Sequence, residues 1–218
     1  MSGRLVYGRA MPRTQAERRE ATSSALMEAA RELFAQDGYA ATSLDAVVAA
    51  AGVTKGALYH HFAGKRELFA AVFASEQERL SRAIVAAYAN GGDDPWVAFE
   101  AGCRAFVEAS QEPGVQRIVL LDAPVALGWE TIRRLEAGAL SLMELGLQRA
   151  IDDGRIAPRP TRPLAHLLFG ALCESAMMVA REPDPSAALK AATKELGELL
   201  HGLSTPSRRS TTSRGRRK

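Results

Sequence analysis

The sequence has little of what metal-binding or catalytic chemistry requires. Its 218 residues include only two cysteines, Cys103 and Cys173, and no CxxC or Cys–His spacing of the kind that binds zinc. Both cysteines lie in apolar stretches with helical periodicity, and we expect them to stay reduced, as in a cytoplasmic protein. We find no nucleophile–base pair and no glycine-rich phosphate loop. We therefore expect no metal, no cofactor and no enzymatic activity.

Long apolar runs are also missing. No uninterrupted run approaches the roughly 20 residues that cross a bilayer, since residues 118–129, the longest, are broken by Asp122 and Pro124. The first residues, MSGRLVYGRAMPR, contain no apolar stretch of signal-peptide length. These absences favour a cytoplasmic protein that does not enter a membrane.

Positive charge is concentrated at one end of the chain. The formal net charge is +3, and residues 204–218 hold six of the 28 basic residues and no acid. The other 22 basic residues face 25 acidic ones, so the body of the protein is slightly acidic. The composition of this tail predicts disorder.

The remaining pattern is helical throughout. Aromatic residues make up only 6% of the chain, alanine is abundant, and no stretch alternates as a strand would. Thr14 and Glu17 have the spacing of a capping box, which predicts a first helix that runs to about Gln36 and ends at Asp37-Gly38. We therefore predict an all-α fold.

Residues 38–69, GYAATSLDAVVAAAGVTKGALYHHFAGKRELF, predict two short helices joined by a tight turn. Thr42 or Ser43 is in position to cap a helix at 44–51, with Asp45 in position to complete a capping box. Thr54 is in position to cap a helix at 55–61, and Gly52 permits the turn between them. A helix-turn-helix requires this layout, because its second helix enters the major groove of DNA. An ordinary helical hairpin with a solvated face fits the same periodicity.

The order and spacing of these residues resemble the TetR family of bacterial repressors over about the first 75 residues. The matching elements are Ala29-Ala30, Leu33-Phe34, Gly38-Tyr39, Thr42-Ser43, residues 51–56 (AGVTKG), residues 58–62 (LYHHF), Lys65 and Leu68-Phe69. The resemblance implies a three-helix DNA-binding domain with a flexible arm at 1–64, a larger helical ligand-binding and dimerisation domain at 65–203, and the basic tail at 204–218.

Seven residues are predicted to contact DNA. They are Ser43, Thr54 and Lys65 to phosphates, Lys55 to guanine or a phosphate, Gly56 through close approach of its backbone, and Tyr59 and His60 to phosphates or base edges. His61 fits a structural role beside Phe62 as well as a DNA contact. A metal site at His60-His61 is not expected, because adjacent helical residues point apart.

The rest of the chain predicts further helices. A long helix should begin near Lys65 and end at residues 90–92, Asp94-Pro95 should start the next, and one helix of about 25 residues should span 129–153. A short or irregular segment from residue 115 to about residue 127, interrupted near Pro124, should precede this last helix. Ten residues could line an apolar ligand pocket, although each could equally be plain core: Trp96, Phe99, Cys103, Phe106, Trp129, Met143, Leu147, Phe169, Cys173 and Met177.

The last two predicted helices, within 163–203, have more apolar surface than packing inside one chain explains. Leu168 and Leu172 belong to this surface and are predicted to lie in or near a subunit interface. The resemblance implies a homodimer formed by these two helices as a four-helix bundle.

These patterns predict a homodimeric, ligand-responsive repressor that a small apolar effector releases from a near-palindromic DNA operator. Two alternatives stay open at this stage. One is a sequence-tolerant DNA-binding protein without an effector, driven by the basic tail. The other is a helical enzyme.

Overall fold

The computed structural model describes residues 14–204, and these residues form helices joined by short turns. The helices are α1 (Gln15–Ala41), α2 (Leu44–Ala50), α3 (Lys55–His61), α4 (Lys65–Asn90), α5 (Pro95–Ala109), α6 (Pro113–Val115), a π-helix (Gln116–Asp122), α7 (Ala123–Leu127), α8 (Trp129–Leu135), α9 (Ala137–Asp152), α10 (Thr161–Arg181) and α11 (Pro185–His201). The predicted all-α class is confirmed. The predicted arm and nearly all of the predicted tail lie outside the described residues.

The chain divides into two compact units, Met1–Val72 and Phe73–Lys218. Helix α4 contributes its first turns to the first unit and the remainder to the second. The sequence places the boundary one or two turns earlier, between residues 64 and 65. The domain limits stay predictions.

The first unit begins with the capping box that the sequence predicts. The Thr14 hydroxyl accepts a hydrogen bond from the Glu17 backbone N–H at 3.2 Å, and the Glu17 carboxylate accepts from the Thr14 N–H at 2.6 Å. The predicted end of the helix near Gln36 needs correction. Gly38 breaks the helix with a φ of 82°, but helical structure resumes for one further turn to Ala41.

Three aromatic rings organise the core of the first unit. The buried ring of Phe34 meets the Phe69 ring edge-on at 5.0 Å between centroids. Tyr39 contacts both, at 6.0 Å from Phe34 and 4.8 Å from Phe69. Because these residues come from both sides of the Gly38 break and from the start of α4, the cluster fixes the frame on which α2 and α3 rest.

The second unit is a bundle whose largest contacts join α5, α9, α10 and α11. A close approach of α5 to α9 depends on Gly146, where a Cβ would lie 2.8 Å from the Phe99 ring. Asp94 caps α5 by accepting from the Trp96 N–H at 2.9 Å, as its sequence predicts.

Of two predictions about the middle of the chain, one is confirmed and the other is wrong. The irregular segment is confirmed as the π-helix followed by α7. Pro124 explains it, because proline has no N–H to donate to the preceding turn. The single helix at 129–153 is wrong: α8 and α9 are separate, with a break at Glu136. Gly138 lies just beyond the break, and glycine lowers helix stability by about 1 kcal/mol relative to alanine.

By length and composition, α10 could cross a membrane, and it is the one such helix in the described part of the chain. A search for uninterrupted apolar runs misses it, because His166 and Glu174 divide the helix. A core helix of a globular protein passes the same test. Here α10 packs against α5, α9 and α11.

Replacing Phe34 with alanine should destabilise the first unit. The ring is fully buried and contacts two other rings, so its loss should lower the free energy of unfolding by about 3–5 kcal/mol. Urea denaturation followed by circular dichroism measures the change. Val125→Ala is the control, because Val125 is 87% exposed and should change stability little. Equal effects of the two substitutions would contradict this account of the core.

Candidate functional site

Helices α2 and α3 begin at the hydroxyl caps that the sequence predicts. The Ser43 hydroxyl accepts from the Ala46 N–H, and the Thr54 hydroxyl accepts from the Ala57 N–H, each at 3.1 Å. Gly52 adopts a φ of 64° in the turn between the helices. Each cap uses its hydroxyl oxygen as an acceptor, so each O–H can still donate to a group outside the protein.

Helix α3 buries one face and exposes the other. Leu58 and Phe62 are buried beneath it, while Lys55 and His60 are exposed and Tyr59 is 52% exposed. The outer face therefore presents an ammonium, a phenol and an imidazole on one short helix. This is the distribution that the sequence predicts.

Gly56 lies on this outer face, and nothing within the protein requires a glycine there. Its φ is not positive, and a Cβ at this position would have only the Thr54 Oγ1 atom nearby, at 4.0 Å. A helix interior ordinarily favours alanine over glycine. No contact within the described chain therefore requires glycine at this position.

Asp45 pairs with Lys55 across the two helices. The Lys55 Nζ atom lies 2.7 Å from the Asp45 Oδ1 atom, and both side chains are largely exposed. This hydrogen bond, together with the charge of Asp45, raises the pKa of Lys55. The prediction that Asp45 completes a capping box is wrong, because such a box would need Thr42, three residues before Asp45, as the cap, and the cap is Ser43.

Lys65 has a partner inside the first unit. Its ammonium donates to the Ala40 carbonyl at 3.2 Å and lies over the Tyr39 ring, 4.5 Å from the centroid. The side chain therefore ties the start of α4 to the last turn of α1. Its predicted contact with a phosphate would add to this structural role.

A basic cleft of about 530 Å³ lies between α1 and α3, and sequence reasoning missed it. Arg18 and Arg19 line it from α1, and His60 and His61 line it from α3. Among the described residues neither arginine has an ion-pair partner. Burial lowers the pKa of His61, and the nearby His60 and Arg19 lower it further. The cleft thus gathers cationic groups without a carboxylate among the residues that line it.

A mostly apolar cavity of about 270 Å³ lies in the second unit. Five of the ten predicted pocket residues line it, together with residues of α4, α5, α9 and α10 that were not singled out. The lining consists of Gln77, Leu80, Ser81, Ile84, Val85, Tyr88, Phe99, Gly102, Cys103, Phe106, Ala139, Leu142, Met143, Leu145, Gly146, Arg149, Phe169 and Leu172.

The other five predicted pocket residues do not line this cavity. Trp96 is buried behind it and stacks on Phe99, with 5.3 Å between ring centroids. Leu147, Cys173 and Met177 pack in the surrounding core. Trp129 lies at the surface, 66% exposed, with the Arg133 guanidinium 4.1 Å from its ring centroid.

Sequence reasoning missed the contribution of α4 to the cavity, because an apolar stripe on a long helix does not distinguish a cavity wall from packed core. Six of its residues from Gln77 to Tyr88 line the cavity at helical spacing. A polar residue such as Gln77 or Ser81 within an apolar stripe was the available signal.

Both cysteines are unsuited to nucleophilic chemistry. Burial raises the pKa of the Cys103 thiol to about 12, and burial also raises the pKa of Cys173 to about 12. The thiols are free of disulfides and remain protonated near neutral pH. At the cavity wall Cys103 therefore acts as a small apolar side chain.

The last two helices expose apolar side chains that the second unit does not cover. The α10–α11 face comprises Leu167, which is 72% exposed, together with Met178 and Leu199. Leu168 and Leu172 are 5% and 1% exposed within their own chain, and their place in or near a subunit interface stays a prediction. They face the core of their own unit, one helical position away from the uncovered face.

Comparisons with known proteins match both units. The family profile described as bacterial regulatory proteins, tetR family, matches residues 26–72, and the profile described as tetracyclin repressor-like, C-terminal domain, matches residues 96–203. The crystal structure of a TetR-family transcriptional regulator from Pectobacterium atrosepticum is 36% identical, with a TM-score of 0.72, over 88% of this chain and 98% of that one.

The chain belongs to the TetR family. It is a DNA-binding transcriptional regulator with a helix-turn-helix. The Tn10 TetC protein of Escherichia coli is 28% identical over 159 residues, which is 72% of this chain and 79% of that protein. The regulator SrpR of Pseudomonas putida is 43% identical over 70 residues, but the match covers only 33% of its length.

Replacing Asp45 with asparagine should strengthen DNA binding. The substitution releases Lys55 from its ion pair and removes a negative charge from the exposed surface, so affinity for operator DNA should rise about two- to fivefold. A fluorescence-anisotropy titration at fixed salt measures the change. Glu78→Gln is a matched control, because Glu78 pairs with Arg82 on an exposed face of the second unit. Weaker binding by the Asp45 variant would show instead that this carboxylate positions Lys55.

Proposed function

We propose that this regulator is an effector-responsive repressor, which binds its operator as a homodimer through the outer face of α3. The outer face of α3 carries the proposal: it exposes Lys55, Tyr59 and His60, and no contact within the described chain requires a glycine at position 56. Contact between α3 and DNA would explain the missing side chain at position 56, since recognition helices lie close to the floor of the major groove.

The side chains around Gly56 can make two kinds of contact with DNA, to base edges and to phosphates. Lys55 and Tyr59 flank the glycine and can reach base edges, while Ser43 and Thr54 can donate their hydroxyl hydrogens to phosphates. His60 and Lys65 extend the same contact surface toward phosphates.

The basic cleft extends this surface beyond the predicted residues. Arg18 and Arg19 are cations without an acidic partner in the described chain, on the helix that packs against α3. Phosphate oxygens would supply the missing counter-charge. We include both arginines among the backbone contacts of the operator complex.

The α10–α11 face is the proposed subunit interface. Gly170 and Ala171 lie between Leu167 and Met178 on α10, and small residues at these positions let a second helix approach closely. Leu199 adds apolar surface from α11. Two copies joined here would present two recognition helices to one near-palindromic operator.

Effector control is proposed to act through α4. This helix lines the apolar cavity with residues such as Ser81 and Tyr88, and it begins at Lys65, which bonds to the Ala40 carbonyl. A ligand that prefers one arrangement of α4 would shift the population of DNA-binding conformers, provided that its affinity differs between them. We place the protein in the cytoplasm, where bacterial DNA is found.

Replacing Gly56 with alanine should separate folding from DNA binding. The methyl group meets open space in the free protein, so the variant should be at least as stable as the original. Against DNA the same methyl group should cost at least about fivefold in operator affinity. DNA selected by the unmodified protein from a random pool serves as the operator, and gel-shift titration measures binding.

Gly138→Ala is the matched control for this experiment. A Cβ at Gly138 also meets nothing within 4 Å, but the residue lies in α9 of the second unit. It should leave operator affinity unchanged. An unaltered affinity of the Gly56 variant would remove α3 from the DNA interface, and equal binding to selected and random DNA would favour the sequence-tolerant alternative.

Replacing Leu167 with aspartate should separate the subunits. The residue is exposed on one chain, so the change should not disturb folding, but it would bury an unpaired charge between two chains. Analytical ultracentrifugation should show a dimer for the original protein and a monomer for the variant. The control is Val97→Asp, which introduces the same charged side chain at an exposed position of α5 and should leave the protein dimeric. A dimeric Leu167 variant would place the interface elsewhere.

A further inference from the structure

We propose that the cavity binds an amphipathic acid, with its hydrocarbon body among the aromatic rings and its carboxylate on Arg149. This inference rests on the proposed effector function and adds the chemical class of the effector. It follows from the uneven distribution of polar groups along the cavity wall.

Most of the cavity wall is apolar, and Gln77 and Ser81 of α4 are its uncharged polar members besides Tyr88. Phe99, Phe106 and Phe169 form much of it, and Cys103 contributes a protonated thiol rather than a charge. A volume of about 270 Å³ lies just below the usual range of about 300–1,000 Å³ for small-molecule sites. The space therefore suits a short aliphatic or single-ring body.

One end of the cavity carries the groups that a carboxylate would recognise. A Cβ at Gly146 would lie 3.8 Å from the Tyr88 Cε2 atom, at the hydroxyl end of that ring. Arg149 follows Gly146 by three residues and so lies on the same face of α9. The guanidinium and the phenol hydroxyl are thus two donors that the cavity wall offers to one carboxylate, whereas Gln77 and Ser81 lie about three and two turns before Tyr88 on α4.

This end is also open to water. Arg149 is exposed, as is Leu145 one turn before it on α9. An amphipath can therefore bury its body and keep its charged head at the rim. A head group placed there loses little hydration while it gains a charge-assisted hydrogen bond.

The charges of the lining favour an anion over a cation or a neutral head. Arg149 is the one charged residue among the described residues that line the cavity, and no aspartate or glutamate accompanies it. Within the described chain the guanidinium has no ion-pair partner. An ammonium head would meet repulsion at this point, and an alcohol would leave the charge of Arg149 uncompensated.

The test compares three ligands that differ only in the head group. Octanoate, octan-1-ol and octylamine are titrated into the full-length protein by isothermal calorimetry, and operator affinity is measured with each ligand by anisotropy. We expect octanoate to bind at least about tenfold more tightly than the other two. Arg149→Gln should remove this preference and leave the affinity for octan-1-ol unchanged, while Arg149→Lys should retain part of it.

Arg134→Gln is the matched control, because Arg134 is exposed on α8 and does not line the cavity. It should bind octanoate as the original protein does. Equal binding of acid and alcohol, or an Arg149→Gln variant that keeps the preference, would overturn the inference while leaving the effector function standing. Tight octanoate binding that leaves operator affinity unchanged would support the inference and refute the effector function. Binding of none of the three ligands would overturn the inference and would not bear on effectors of another chemical class.

Discussion

A helix of seven residues is not stable in water on its own, so α3 exists because Leu58 and Phe62 are buried beneath it. The functional face of the molecule depends on this constraint. Two apolar side chains fix the rotation of α3, and that rotation decides which residues face outward. The same constraint explains why Thr54 is needed as a cap, since a helix this short has few internal hydrogen bonds.

The second unit meets a different constraint, because it must pack a stable bundle and still keep an internal space. Glycines at crossings reconcile these requirements. Gly102 and Gly146 let helices approach closely beside Ile84 and Phe99, and both glycines also line the cavity. At each crossing the close contact between helices stabilises the bundle, and the glycine has no side chain that would fill the neighbouring cavity. The wall of the cavity combines these glycines with aromatic rings such as Phe106 and aliphatic side chains such as Leu80.

Local features of the fold could be predicted from the sequence, since their causes lie within a few residues. The caps at Thr14, Ser43 and Thr54, the turn at Gly52 and the limits of α3 belong to this class. The family was recognisable for the same reason, because its motif is one continuous stretch of the chain.

Features set by distant residues could not be predicted. The pairing of Asp45 with Lys55 depends on the angle between α2 and α3, and the basic cleft depends on α1 reaching α3. Trp129 is a predicted pocket residue, but it begins the short helix α8 directly after Gly128 and lies at the surface. Helical periodicity also does not say which of two apolar faces meets its own chain, and on α10 Leu168 and Leu172 are buried while Leu167 is exposed.

The chemistry of the two thiols bears on what kind of signal this molecule can register. A cysteine reacts with peroxide or with an electrophile as its thiolate, and at a pKa of about 12 almost none of either cysteine is in that form. Both thiols should therefore react slowly with peroxide, and neither is held in a disulfide. Cys103 then keeps its size and its apolar character in the cavity wall. The effector response that we propose would then not depend on oxidation of this thiol.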